Sequence, residues 1–150
     1  MPLFRRSQKK AKYAFEVSGE HGFDVEVRGE SFHMEDVLAA ARGPNRVVEG
    51  DQLRCEIRVC VRRQPANSYD KNAIVVLSEH GRELGHMGRE IAASYAPVFD
   101  EVVGLREVRC AACVFGRNVE GAGWRAGVWL ALPTADALAA ALGRIDEARP

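Results

Sequence analysis

Tyr69 and Asp70 stand side by side in a polar stretch, Pro65 to Ala73, that separates two strand-like runs. Proline, asparagine, serine and aspartate all favour turns, so this stretch predicts a loop. A loop that only reverses the chain needs neither an aromatic ring nor a carboxylate. The ring offers a flat face for stacking, and an ionised carboxylate is a hydrogen-bond acceptor only. We therefore interpret the pair as candidate binding residues.

Hydrophobic patterning on both sides of the loop predicts short strands. Apolar and polar residues alternate before the loop, and a β-branched run follows it. The six predicted strands are Phe23–Arg28, Leu53–Arg62, Ile74–Leu77, Arg82–Met87, Val108–Val114 and Val128–Leu132.

Apolar residues at helical spacing predict two helices between these strands and one after them. The first runs from Met34 to Arg42, the second from Ile91 to Phe99, and the third follows Thr134, which can cap it. A barrel hides the edges of many short strands. The sequence thus predicts a mainly β fold: a small, partly open OB-like or SH3-like six-stranded β-barrel with two inserted helices and an appended C-terminal helix.

Other residues that could bind a ligand lie at predicted strand ends and in loops. Phe32 follows a Gly-Glu-Ser turn, Trp124 lies in the glycine-rich connection 121–125, and His86 follows Gly85. Each could instead be structural, and Phe32 could be drawn into the core. Trp124 is poorly placed for burial in that glycine-rich connection, because its neighbours there cannot cover it. Three aromatic residues in loops around one barrel favour a binding surface.

The run Asn67-Ser68-Tyr69-Asp70-Lys71-Asn72-Ala73, with segments 29–33 and 84–90 on either side, resembles the HIRAN domain from about Val25 to Leu132. The loop is commoner in the form Asn-Pro-Tyr-Asp, so Ser68 replaces a proline and leaves the loop less rigid. Ser31 stands where a member of the family has an arginine before its stacking aromatic. This departure removes one expected phosphate or base contact.

The resemblance implies a barrel that grips the 3′ end of single-stranded DNA, with a site made of Phe32, Asn67, Tyr69, Asp70, His86, Arg89 and Trp124. Tyr69 and Phe32 would stack on the terminal bases, and Trp124 would flank them. Asp70 would accept a hydrogen bond from a free 3′ hydroxyl and repel a 3′ phosphate. Asn67 would shape the loop and contact the terminal nucleotide. His86 and Arg89 would contact phosphates.

Length and charge limit the classes of function. The chain has 150 residues and a formal net charge of zero, which suits a small binding site better than non-specific coating of nucleic acid. We expect a basic tail at 1–14, a HIRAN-like domain at 15–133 and the appended helix at 134–150. The tail, with Arg5, Arg6, Lys9, Lys10 and Lys12, either improves solubility or adds phosphate contacts.

The sequence offers little for catalysis or metal binding. Cys110 and Cys113, with Cys55 and Cys60, could supply four zinc ligands. Each pair has an odd separation within a predicted strand, however, so its members point to opposite faces. We interpret them as reduced cysteines of an intracellular protein. The chain lacks a phosphate-binding loop and a spaced acidic set, which disfavours a motor or a nuclease.

We therefore predict a non-enzymatic module without cofactor or metal that binds single-stranded DNA 3′ ends in DNA repair or replication-fork processing. A helicase or another repair protein is the candidate partner, and we expect no membrane or small-molecule partner. The expected location is cytoplasmic, with association to the nucleoid when bound to DNA. A protein–protein interaction module in a repair or replication assembly is the alternative. The C-terminal helix could pack on the barrel or bind such a partner.

Overall fold

The structure, a computed structural model, describes residues 13–148. Its strands are β1 (Tyr13–Glu16), β2 (Val25–Arg28), β3 (Arg46–Glu49), β4 (Gln52–Arg63), β5 (Ile74–Ser78), β6 (Glu83–Met87), β7 (Leu105–Val119) and β8 (Gly123–Leu130). Its helices are α1 (Met34–Ala40), α2 (Arg89–Asp100) and α3 (Ala135–Ala148), with a short 3-10 helix at Glu30–Phe32. None of the described helices is long and apolar enough to cross a membrane.

Six strands close an antiparallel barrel in the circuit β2–β6–β5–β4–β7–β8–β2. The predicted mainly β barrel with two inserted helices and one appended helix is confirmed. The ring closes because Val27 and Arg28 pair with β6 while Val25 and Glu26 pair with β8. β3 extends the sheet beyond β4, outside this ring.

β1 is a further strand, and it begins inside the segment predicted to be a tail. The amide N–H of Tyr13 donates to the carbonyl of Gly104 at 3.2 Å, and β1 then pairs in parallel with β7. Tyr13 and Ala14 therefore belong to the sheet, which corrects the predicted boundary at residue 14. The basic residues of the predicted tail lie at positions 1–12, outside the described residues.

The core fills the barrel and continues beneath α2 and α3. Alternate residues of β4 are buried, as its sequence pattern predicts. The hydroxyl of Thr134 accepts a hydrogen bond from the N–H of Ala137 at 3.2 Å, which confirms the predicted cap. Leu138 and Leu142 of α3 are buried, and each such side chain stabilises the fold by about 1.5–3 kcal/mol. α3 thus packs on the domain.

A buried carboxylate joins β4 to β7 close to the start of the loop that carries Tyr69. Glu107 is 1% exposed and accepts hydrogen bonds from Arg62 at 2.7 Å and Arg109 at 2.6 Å. Burial acts to raise its pKa, but hydrogen bonds from Arg109, Cys60 and Arg62 outweigh it and lower the pKa to about 2. The carboxylate therefore stays ionised and fixes the end of β4.

A bulge in β6 brings β6 and β2 into close contact. Val76 pairs with Gly85 while Leu77 pairs with Glu83, so one residue of β6 is left over. Gly85 has a φ of +151°, and a Cβ there would lie 2.4 Å from the carbonyl oxygen of Arg28. The bulge leaves Glu83 and His86 partly exposed, whereas the intervening Leu84 is buried.

We expect Gly85→Ala to lower the free energy of unfolding by about 2–3 kcal/mol, because the methyl group overlaps the β2 backbone at a strained φ. Gly88→Ala is the matched control. Gly88 has a φ of −55°, and a Cβ there would lie 3.6 Å from Arg28, an ordinary contact. Urea denaturation of both variants measures the difference. Equal midpoints would contradict this account of the barrel closure.

Candidate functional site

The loop from Gln64 to Ala73 is held together by its own polar groups. The N–H of Gln64 donates to the carbonyl of Ala73 at 2.8 Å and closes the loop. The side-chain oxygen of Asn67 accepts hydrogen bonds from the N–H groups of Tyr69 at 2.9 Å and Asp70 at 3.2 Å. Asn67 thus shapes the loop, and the Tyr69 side of the turn faces solvent, with Tyr69 87% exposed.

Asp70 is held in place with one of its two carboxylate oxygens still accessible. Its Oδ1 accepts a hydrogen bond from the N–H of Asn72 at 2.9 Å. Its Oδ2 accepts none from the residues that the structure describes. Asp70 is half-buried beside the exposed ring of Tyr69. A ligand that stacks on this ring can therefore donate a hydrogen bond to the adjacent carboxylate.

Both ends of α2 fasten this loop. At the first residue of the helix, Arg89 donates from Nη2 to the carbonyl of Tyr69 at 2.7 Å. At the last, Asp100 receives two hydrogen bonds from Arg63 at 2.9 and 3.1 Å, and Arg63 also donates to Ala73 at 2.9 Å. Arg89 is exposed, so its other N–H groups remain accessible to a phosphate.

His86 connects β6 to the loop through Gln64, which the sequence did not single out. The ring Nε2 lies 2.8 Å from Oε1 of Gln64, and the same oxygen accepts from Asn67 at 3.4 Å. An amide oxygen is an acceptor only, so Nε2 carries the proton in this contact. The opposite nitrogen, Nδ1, then donates a hydrogen bond only when the ring is doubly protonated.

Arg28 adds a cation that no sequence pattern singles out. It lies opposite His86 in the β2–β6 ladder, and directly opposed residues share a face of the sheet. Its side chain passes Gly88 and is 70% exposed, although it also contacts Glu26 at 3.5 Å. Arg28, His86 and Arg89 form what we name the basic cluster.

Phe32 is exposed rather than buried in the core. It ends the 3-10 helix that follows β2, and 87% of it is exposed. Glu30 fastens this segment by accepting from the N–H of Val128 at 3.3 Å, and Nε2 of His33 fastens it by lying 2.7 Å from a carboxylate oxygen of Glu83. Glu83 and His86 lie three positions apart on β6, a separation of roughly 10 Å. The Phe32 segment and the Tyr69 loop are thus both fastened to β6.

Trp124 does not lie in a loop, which corrects the prediction from sequence. A tight turn, with Ala122 donating to Val119 at 2.9 Å, lets β8 begin at Gly123. Trp124 therefore pairs with Asn118 and packs, half-buried, against the core. It lies at the opposite end of β4 from the Tyr69 loop, so the structure does not bring these two together. A contact between Trp124 and DNA stays a prediction.

The family model for the HIRAN domain matches residues 23–117. This chain belongs to the HIRAN domain family. It is 50% identical to mouse helicase-like transcription factor and 43% identical to the human protein, in each case over 42 residues. That segment is 28% of this chain, and it spans only 4% of the length of each relative.

Three solved structures also resemble this chain. The crystal structure of the HIRAN domain of human HLTF is 22% identical, with a TM-score of 0.37 over 84% of this chain and 92% of that one. A protein from Lactobacillus plantarum is 22% identical, with a TM-score of 0.40 over 76% and 93%. The NMR structure of the HLTF HIRAN domain in its DNA-bound conformation is 19% identical, with a TM-score of 0.30 over 71% and 95%.

We expect Asn67→Ala to loosen the Tyr69 loop, because the N–H groups of Tyr69 and Asp70 lose their acceptor. Amide hydrogen exchange in residues 67–73 should accelerate, while global stability falls by only about 1 kcal/mol. Asn67→Asp keeps the oxygen acceptor and should retain most of the protection. If exchange in the alanine variant matches that of the wild type, the side chain does not hold the loop.

Proposed function

We propose that this HIRAN domain binds single-stranded DNA at a free 3′ end, with the Tyr69 loop as the reading element. One observation carries this proposal: an oriented carboxylate oxygen of Asp70 beside an 87%-exposed aromatic ring. Another member of the family, the HIRAN domain of HLTF, has a DNA-bound conformation. Membership of the same family supports a DNA-binding role for this chain.

Asp70 accounts for selection of the terminus. A 3′ hydroxyl can donate a hydrogen bond to Oδ2, which accepts none from the described residues. A 3′ phosphate, or a strand that continues, places negative charge or bulk against the carboxylate instead.

Tyr69 would stack on the terminal base without regard to sequence. Phe32, the other exposed ring fastened to β6, would stack on a neighbouring base. Asn67 would contact the terminal nucleotide while it holds the loop.

The basic cluster would contact the phosphates next to the terminal nucleotide. Arg89 would use the N–H groups that are not bonded to Tyr69, and His86 would use Nδ1 in its doubly protonated form. Arg28 would supply the positive charge expected at the position where this chain has Ser31. These contacts position the strand but carry no sequence information.

We further propose that the protein acts without catalysis, in DNA repair or at replication forks, as a cytoplasmic protein that associates with the nucleoid. A helicase or another repair protein would supply any motor activity. Trp124 would contact DNA only beyond the nucleotides held by the Tyr69 loop. Each of these proposals depends on the 3′-end site, and the next two experiments test that site directly.

We expect a strand that ends in a 3′ hydroxyl to bind tenfold or more tightly than the same strand with a 3′ phosphate, a difference of about 1.4 kcal/mol or more. Asp70→Asn should reduce this preference, because it removes the charge that repels a phosphate. Asp136→Asn, an exposed aspartate of α3, is the matched control. Fluorescence anisotropy with 5′-labelled oligonucleotides gives the affinities. Equal wild-type affinity for both termini would remove the role assigned to Asp70.

We expect Tyr69→Ala to weaken binding by about 1–3 kcal/mol, because the terminal base loses its stacking partner. The ring is exposed, so the melting temperature should hardly change. Tyr69→Phe keeps the ring and should keep most of the affinity. The anisotropy titration checks both variants, and wild-type affinity in a folded alanine variant would show that Tyr69 does not stack on DNA.

A further inference from the structure

A second aromatic surface lies on the face of β3, β4, β7 and β8 opposite the core. Strand register places Val47 opposite Arg54, Arg54 opposite Phe115, and Phe115 opposite Gly127, which makes one row across four strands. Directly opposed residues share a face. The next row on the same face contains Glu49, Gln52, Arg117 and Arg125.

Residues of these two rows other than Gly127, together with Leu53 and Gly116, line a groove of about 620 Å³, which we name the Phe115 groove. Phe115 stands in it 42% exposed, and the guanidinium of Arg54 lies 5.8 Å from the centre of its ring. Val47 is 53% exposed at one end of the row. An exposed aromatic ring with an arginine above it is suited to a flat ring that carries negative charge nearby.

The charge of the groove is positive although the whole chain is neutral. Three arginines line it, against one acid, Glu49. Arg54 pairs with Glu56 at 3.3 Å, whereas Arg117 and Arg125 form no ion pair with any carboxylate that the structure describes. These two exposed guanidinium groups therefore remain accessible to an anionic ligand.

The row that contains Phe115 leads towards the segment that presents Phe32. This row ends at Gly127, where a Cβ would lie 3.4 Å from the carboxylate of Glu30. Glu30 belongs to the 3-10 helix that presents Phe32, and that helix is fastened to the next residue of β8, Val128. A single residue of β8, Gly127, thus separates Phe115 from the segment that presents Phe32. The groove itself lies at the end of β4 opposite the Tyr69 loop, so a strand held at Tyr69 would have to pass Phe32 to reach it.

We propose that the Phe115 groove binds the nucleotides of the same DNA strand that lie on the 5′ side of the terminal ones. Phe115 stacks on a base there, and Arg117 and Arg125 contact phosphates. The inference rests on the proposed 3′-end function. An acidic peptide would also suit three arginines, but the continuity with the Phe32 segment favours the DNA strand.

The length of the oligonucleotide distinguishes binding at the 3′-end site alone from binding that also uses the Phe115 groove. Thymidine strands of about 4 and about 12 nucleotides, within the range of sites on small barrels, each carry a 5′ label and a free 3′ hydroxyl. Wild-type protein should bind the longer strand more tightly. Phe115→Ala should weaken binding of the longer strand about fivefold or more and leave the shorter strand unaffected.

Arg117→Ala should make the slope of log affinity against log salt shallower by about 0.7 for the longer strand only. Arg117 is exposed, so this variant still tests the groove if Phe115→Ala proves unstable. Arg144→Ala, on the exposed side of α3, removes the same charge elsewhere and should change neither strand's binding.

Three results would overturn the inference in different ways. If both strands bind with a 3′-hydroxyl preference, and neither groove variant affects the longer one, the groove does not bind DNA but the 3′-end function stands. If wild-type protein binds neither strand, both the proposed 3′-end function and the proposed binding of DNA in the groove are wrong. If DNA affinity does not depend on length, and an acidic peptide binds wild-type protein but not Phe115→Ala or Arg117→Ala, the groove belongs to a protein partner instead.

Discussion

The pairing of both edges of β2 is the constraint on which the rest of the structure depends. This four-residue strand joins β6 to β8 and so closes the barrel. The closure requires that Gly85 lack a side chain, because the backbone of Arg28 occupies that space. It also places Arg28 opposite His86 and leads directly into the segment that presents Phe32. One strand thus closes the barrel around its core and positions two parts of the candidate site, the Arg28–His86 pair and the Phe32 segment.

The Tyr69 loop shows how a polar segment can be ordered without a core of its own. Its backbone groups are bonded to Asn67, Asp70 and one another, and arginines 63 and 89 tie it to both ends of α2. The ordering entropy is therefore lost when the chain folds rather than when a ligand binds. This order also offsets the flexibility expected from serine at position 68, where proline is commoner.

The sequence predicted the features that depend on local pattern. Alternation and one β-branched run located the six barrel strands, and turn chemistry located the loop around Tyr69. It did not reveal the contributions of Gln64 and Arg28, because each depends on a partner in another strand, His86 in both cases. Trp124 was wrongly assigned to a loop because glycines at 121 and 123 suggest a long connection. Cross-strand pairing from Gly123 onward shortens that connection to a tight turn.

The net charge of zero does not predict how this protein would bind a charged ligand, because its charges lie in separate local groups. Asp70 sits on a loop that is held by Arg89, with the basic cluster nearby on β2, β6 and α2. A phosphate backbone is attracted to that cluster and repelled by the carboxylate. Among the groups that can end a strand, a hydroxyl suits the carboxylate because it donates a hydrogen bond and carries no charge, whereas a phosphate is repelled. In the proposed function, the cations would provide the affinity and the carboxylate of Asp70 would select the end of the strand.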